Sequence, residues 1–448
     1  MKTPRYLFPK DYMADPSANV FNDRLYIFPS HDRDSGEAFD DDGGHFQMKD
    51  YHVLSLTDVE NGEVTDHGMV LDVEQVPWAE RQMWDNDVVE KDGKYYLYTY
   101  IVGAKGCVSV SDKPEGPFTF LSTYDYAPED GGDDGIFNDV GVLVDDDGRV
   151  YCYYGYEGSH MNELDPESMY KVIPGSLISP LMDASENVPV EERFFEASSP
   201  RKVGDTYYLI YSPRKGSRLA YATSDKPTGP FTYRGYIIDN GVDYPAGNDH
   251  GSICQIGGQW YVFYHRMTNN SITSRRACVE KITILPDGTI PPVEMTSLGF
   301  EEALNPYKPV KAEIACVLTG GCFVLEKDVF RRVVSKVGEG SVLGYKYFDF
   351  GLDTSTKTME FAVKVVGAGM RGKLHVMIDA PTEEKGGKKI GEVAIDMSDG
   401  VYRGRVENVT GRHALYLVAE LVKPQAEWMA DFFQGRTLCE VDEFVFLK

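Results

Sequence analysis

Five times along this chain a turn of Gly, Asp or Asn leads straight into a short, aromatic-rich strand. The copies are Asn22 to Phe28, Asp92 to Tyr98, Asp147 to Tyr154, Gly204 to Tyr211 and Gly257 to Tyr264. They recur about every 55 residues, with a first gap nearer 70, which is the size of one propeller blade plus its loops. Aromatic and β-branched residues favour pleated strands, and turn residues at a fixed offset mark hairpins. Another apolar strand precedes each copy, such as Gly141-Val142-Leu143-Val144 or Ser252-Ile253-Cys254-Gln255-Ile256. A small sheet of this kind cannot bury both its faces alone, whereas five packed radially can. The predicted fold class is therefore all-β, with a five-bladed β-propeller over residues 1–305.

A second repeat supports the blades. Ser111-Asp112-Lys113-Pro114-Glu115-Gly116-Pro117-Phe118 returns as Ser224-Asp225-Lys226-Pro227-Thr228-Gly229-Pro230-Phe231. Its Pro and Gly force a turn before an outer strand. After Gly299 the rhythm changes, and Asn305-Pro306-Tyr307-Lys308-Pro309 reads as a boundary. Alternating strands follow at Met359 to Val366, Lys373 to Asp379, Ala414 to Val418 and Val441 to Leu447. They predict a jelly-roll-like β-sandwich over residues 306–448.

Composition narrows the partners. The formal net charge of -26 repels nucleic acid and anionic membrane and suits a neutral ligand such as a sugar. The seven cysteines are scattered, with no zinc-ligand spacing, and most lie in apolar strand-like runs. Free buried thiols in a reducing compartment are expected. The start, Met1 to Tyr6, leads into no apolar signal core, and no stretch is long enough for a membrane helix, so a cytoplasmic location is expected. Oligomeric state has no signature in the sequence.

Three carboxylates stand at one phase of the repeat. Asp15 precedes the first aromatic strand, Asp139 the third and Glu196 the fourth. Innermost propeller strands line a central channel, so residues at equivalent strand ends can meet at one mouth. Glycosidic cleavage needs a carboxylic acid for the leaving oxygen and a carboxylate working from the other side. Glu196 follows Phe194-Phe195, and a carboxyl beside apolar rings tends to keep its proton near neutral pH. Acidic runs such as Asp40-Asp41-Asp42 read as solvated turns.

These segments resemble glycoside hydrolase family 43. The likeness rests on Ala14-Asp15-Pro16-Ser17, on Asn138-Asp139 with Val142 to Gly148, and on Phe195-Glu196-Ala197-Ser198-Ser199. The resemblance implies an inverting mechanism with Asp15 as general base, Glu196 as general acid and Asp139 orienting the acid and raising its pKa. It implies substrate contacts from Asn138, from Trp84 in Met83-Trp84-Asp85-Asn86-Asp87, and from His250 in Gly247-Asn248-Asp249-His250-Gly251. The Trp84 segment matches the family's Trp-Ala-Pro-Asp only partly, with Asp-Asn for Ala-Pro. His250 can also hold a water or, through water, a calcium ion. An arginine is implied shortly before the Leu285-Pro286-Asp287-Gly288 turn, and both Arg275 and Arg276 qualify. The chemistry requires no cofactor, and a structural calcium is the one metal implied. The C-terminal part is similar to a family 6 carbohydrate-binding module at Gly344 to Gly351, Thr410 to Leu417 and Val441 to Phe446. Its usual loop tryptophan is missing, with Tyr402 nearby.

The expected activity is exo-acting release of terminal α-L-arabinofuranose, and/or β-D-xylose, from plant-polysaccharide oligosaccharides. The alternatives are a β-D-xylosidase or galactofuranosidase of the same design, or a catalytically silent glycan-binding protein.

Overall fold

A computed structural model describes residues 6–40, 43–101, 105–131, 138–182, 188–423, 426–429, 431 and 434–448. Blade I is formed by β1 (Met13–Phe21), β2 (Arg24–His31), β3 (Asp50–Leu56) and β4 (Thr65–Asp72). Blade II follows with β5 (Met83–Lys91), β6 (Lys94–Ile101), β7 (Lys105–Ser111) and β8 (Thr119–Thr123). Blade III has β9 (Gly141–Val144), β10 (Val150–Tyr154) and β11 (His160–Leu164). Blade IV has β12 (Phe194–Val203), β13 (Thr206–Pro213), β14 (Arg218–Ser224) and β15 (Thr232–Asp239). Blade V has β16 (Ser252–Ile256), β17 (Gln259–Thr268) and β18 (Ser271–Ile282). The five aromatic repeats are β2, β6, β10, β13 and β17, the second strand of every blade. The Pro-Gly repeat turns β7 into β8 and β14 into β15, with Gly116 and Gly229 both at positive φ.

The aromatic strands are apolar on both faces because each sheet packs against two neighbours. Apolar clusters fill the gaps between blades. Phe28 and Val53 meet Val88 and Leu97 between I and II. Tyr98 meets Val142 and Cys152 between II and III. Tyr153 meets Leu209 between III and IV. Tyr208 meets Val262 between IV and V, and Leu54 meets Phe263 between V and I. The ring is closed by the N-terminal segment: Tyr6 bridges Cys278 on β18, and the Leu7 N–H donates to the Ala277 carbonyl at 2.8 Å.

Nearer the axis, polar side chains tie the innermost strands together. Asp87 on β5 accepts from Ser17 Oγ at 2.5 Å on β1 and from the Val142 N–H at 2.9 Å on β9. Arg201 on β12 donates to the Ile253 carbonyl on β16 at 3.0 Å and to the Ala18 carbonyl on β1 at 2.9 Å. All seven cysteines are buried free thiols. Among the described residues no helix is long and apolar enough to cross a membrane.

After β18, Ile290, Val293 and Met295 still pack on the blade IV–V cluster, and Leu298 enters a second core. From there an 11-stranded antiparallel sheet closes over on itself as a β-sandwich. The strands expected from alternation at Met359 to Val366, Lys373 to Asp379, Ala414 to Val418 and Val441 to Leu447 are found at Thr358–Gly367, Gly372–Ile378, Arg412–Leu421 and Thr437–Leu447. The β17–β18 turn docks on the sandwich. There the Asn269 N–H donates to the Val324 carbonyl and the Glu326 N–H donates to Asn269 Oδ1, both at 2.8 Å.

Candidate active site

Three inner strand ends are bent where the carboxylates sit. The β1–β2 pairing slips between Ala14 and Ser17, and Asp15 adopts φ 44°. Asp139, just ahead of β9, adopts φ 44° too. On β12 the register slips on both sides of Glu196, and Ala197 takes φ 69°. Left-handed backbone at a non-glycine residue costs about 1–3 kcal/mol and persists where the surroundings enforce it. A bulge inserted there re-aims a side chain out of the pleat, here toward the axis. The Ser198 N–H, bonded to the Asp139 carbonyl at 3.2 Å, locks two of these bends together.

The three carboxyls meet around His250, which precedes β16. Its Nε2 lies 3.2 Å from Glu196 Oε1 and 3.7 Å from Asp139 Oδ2, while Nδ1 lies 3.5 Å from Asp15 Oδ1. Asp15 and Glu196 therefore face opposite nitrogens of one imidazole. Their facing oxygens can be no more than roughly 9 Å apart, compatible with the 6.5–9.5 Å that leaves room for a water between two carboxyls. The group forms the floor of a cavity of ≈ 620 Å³. Trp84, Asn138 and Arg275 line it, together with Asp15, Asp139, Glu196 and His250. Several atoms of lining residues, among them Asn138 Oδ1, Trp84 Nε1 and Asn248 Oδ1, are buried without a hydrogen-bond partner. Buried polar atoms are normally paired, so such orphans around a cavity are suited to a polar ligand.

Arg275 and Arg276 are separated by strand alternation. Arg275 Nη1 donates to Asp15 Oδ1 at 2.7 Å, while its Nε and Nη2 donate to Asp32 at 2.9 and 2.8 Å. Arg276 corrects the expectation that it too could reach substrate. Adjacent strand residues point to opposite faces, and Arg276 leads away from the cavity to the Pro9 and Asp11 carbonyls and Glu326 of the sandwich. Its side chain is 1% exposed. Asp87, quoted with Trp84 in the partial motif, is the bolt between blades described above.

The surroundings set each charge. Burial alone would raise the Asp15 pKa, but Arg275, then His250 and His265, hold it far below the usual carboxylate range. Asp139 is pushed up to about 7 by burial and, against the pull of His250, by the charges of Glu196 and Asp15. Burial disfavours the His250 cation, yet Asp15, Asp139 and Glu196 together raise its pKa well above the ordinary histidine value. His265 is shifted the other way, chiefly by burial. Its bonds agree, since Nδ1 accepts the Asp15 N–H at 3.2 Å and Nε2 donates to the Asn248 carbonyl at 3.0 Å. One imidazole is thus cationic and its stacked neighbour neutral.

Several residues at the site were not foreseen. Asp85 lies at the β5 slip between Met83 and Asn86 and lines the cavity. Its pKa is raised well above the carboxylate range by burial and by Asp139 and Asp15, against His250. The signal was present, since Asp85 is one of the two residues replacing Ala-Pro after Trp84. Asp32 directly follows β2 and His265 lies within β17, and nothing local distinguishes them. The aromatic wall of Phe39, Phe46, Tyr100 and Tyr156 is assembled from three blades and has no motif.

Comparison with known proteins agrees with this geometry. Residues 11–290 match the family model for glycosyl hydrolases family 43. Over 296 residues the chain is 41% identical to a β-xylosidase of Xylanibacter ruminicola, covering 58% of this chain and 89% of that protein. It is 32% identical to a xylosidase/arabinosidase of Thermoclostridium stercorarium across 92% of this chain and 94% of that one, so the likeness continues into the sandwich. A solved family 43 β-xylosidase/α-arabinofuranosidase from a compost microbial metagenome, in complex with xylotriose and calcium-free, matches with a TM-score of 0.58 and 34% identity. It covers 65% of this chain and 97% of its own. With five blades, carboxylates on three inner strands and a family match spanning the ring, the chain belongs to glycoside hydrolase family 43.

Proposed function

We propose that this glycosidase is exo-acting and inverting, and that it removes terminal α-L-arabinofuranose and β-D-xylose from arabinoxylan oligosaccharides. The observation that carries the reading is the pair Asp15 and Glu196 on opposite sides of His250 at the floor of one aromatic-walled cavity. The names of the family relatives, xylosidase and xylosidase/arabinosidase, support both sugars.

In this reading Asp15 is the general base. Arg275, His250 and His265 all approach its Oδ1, which leaves Oδ2 to take a proton from water. Glu196 donates a proton to the departing oxygen. Asp139 keeps its own proton to about pH 7 and lies close enough to resupply Glu196. As the glycosidic bond breaks, positive charge grows on the sugar ring, and Asp15, the carboxyl held ionised, supplies the opposite charge beside it. Turnover of aryl α-L-arabinofuranoside and β-D-xyloside, with the first-formed anomer recorded, tests this. Inverted product from both is expected; retained configuration, or no turnover of either, overturns it.

Calcium beside His250 belongs to the same proposal. Asp15 and Asp85 converge beside His250 within 4.8 Å, a carboxylate pair suited to a hard, hydrated cation that the imidazole meets only through water. Bound there it would add positive charge beside Asp15, which Arg275 already supplies. Chelation followed by calcium re-addition, read as thermal midpoint, is expected to raise the midpoint; no change removes the ion from the account. Sugar binding by the sandwich is likewise proposed, with Trp428 at 73% exposure as the candidate contact. Loss of xylan retention in Trp428→Ala supports it, and full retention argues against it.

A further inference from the structure

A second cluster of metal-binding side chains lies outside the central group, at the stem of one loop. His31 closes β2, and Asp50 and His52 open β3. The loop between them supplies Phe39, Asp40, His45, Phe46 and Met48 to the cavity wall. His31 Nδ1 lies 3.0 Å from Asp50 Oδ1, His52 Nε2 lies 3.5 Å from Asp50 Oδ2, and the two rings are 4.4 Å apart. Donor atoms around a four-coordinate ion with bonds of about 2.0–2.1 Å are spaced roughly 3.3 Å apart; the two nitrogen–oxygen distances bracket that value, and one donor atom from each residue lies within 4.8 Å of the others.

The surroundings repeat the pattern of a built metal site. A histidine that binds a metal through one ring nitrogen usually donates its other N–H to a carboxylate, which fixes the ring and its tautomer. Here the far nitrogen of His31 faces Asp11 Oδ2 at 3.3 Å, and that of His52 faces Asp66 Oδ1 at 3.0 Å. The three inner side chains are largely dry, with exposures of 11% for His31, 5% for Asp50 and 14% for His52. Arg33 caps Asp50 at 2.7 Å, and its half-exposed side chain leaves it room to withdraw.

We infer that His31, Asp50 and His52 form a site for a divalent transition cation of the zinc class, with one position left for water. Two imidazoles and one carboxylate suit zinc or its neighbours and disfavour calcium and magnesium, which prefer oxygen. The ion joins the two ends of the loop that walls the cavity. It also steadies Asp32, the residue after His31, which holds Arg275 against Asp15. The site lies apart from the His250 group and does not depend on the reaction assigned there.

The test uses the full-length protein, stripped with a chelator and titrated with Co²⁺ and then Zn²⁺. One Co²⁺ per chain is expected, with the visible absorption of a four-coordinate ion, displaced by Zn²⁺ and accompanied by a rise in thermal midpoint. His31→Gln and His52→Gln should each abolish this uptake. Asp66→Asn should weaken it by roughly 10–100-fold, the usual effect of losing a carboxylate behind a ligating histidine. His375→Gln, on the sandwich, should leave it unchanged. If His31→Gln fails to fold, His52→Gln alone decides, because its side chain is the more exposed of the two. Absence of stoichiometric uptake, or uptake that survives His52→Gln, overturns the proposal.

Discussion

The sandwich and the propeller bury their side chains in opposite ways. In the sandwich the centre is oil: Tyr345, Phe348, Phe361, Phe444 and Phe446 form one continuous ring cluster. In the propeller the oil lies between blades, and the axis is left to Asp15, Asp32, Asp85, Asp87, Asp139, Asp249, His250, His265 and Arg275, all buried. The arrangement follows from geometry. Radially packed sheets satisfy their apolar faces against one another, so the inner strand ends carry no packing duty and can hold charge. Each charge is then costly unless paired, and pairing ties the five blades into one electrostatic unit.

Removing the reacting pair should widen this contrast most. Glu196→Ala is expected to lower hydrolysis of unactivated glycosides by roughly 10²–10⁴-fold while sparing substrates whose leaving group needs no proton. Asp15→Ala should lose both. Equal losses on both substrates for Glu196→Ala would undo its role as acid. In the oil, Phe361→Ala should cost about 3–5 kcal/mol of stability yet leave kcat/KM unchanged below the unfolding temperature. Denaturant titration beside initial rates would show whether the two regions are separable.

Asp87→Ala sits between these extremes. It strands the Ser17 hydroxyl and the Val142 N–H, at about 1–3 kcal/mol. Because Ser17 follows the Asp15 bulge, a drop in activity should accompany the lower midpoint; stability loss alone would mean the bolt does not position the base. The smallest effect is on the pH profile. Asp139 is protonated below about 7, so activity should decline as pH rises through that value. Asp139→Asn, uncharged at every pH, should remove that limb, and an unchanged profile would exclude Asp139 from proton supply.

Much of the site was readable before any coordinates. Asp15, Asp139 and Glu196 stand out because a repeat gives distant residues a common phase. Trp84, Asn138 and His250 entered only through the resemblance of their segments to the family's motifs. Arg275 and Arg276 show where such reading stops. Side-chain direction alternates along β18, and the absolute phase depends on how the strand pairs, with Arg276 opposite Arg266 and Arg275 opposite Met267. Asp32 and His265 were invisible for a related reason, because their importance comes from Arg275 and Asp15, hundreds of positions away in the chain.

Sequence alone determined the number of blades, the identity of the aromatic second strands, the change of rhythm before the sandwich and the carboxylates at matching strand ends. These are properties of period and local propensity, and a linear string records both. Tertiary structure alone decided which arginine faces the cavity, that Asp85 joins the acidic floor, that His250 is cationic while His265 is neutral, and that His31 and His52 come together at a loop stem. Each of those depends on distances between residues that only ring closure brings close, and charge state in a dry interior is set by such distances.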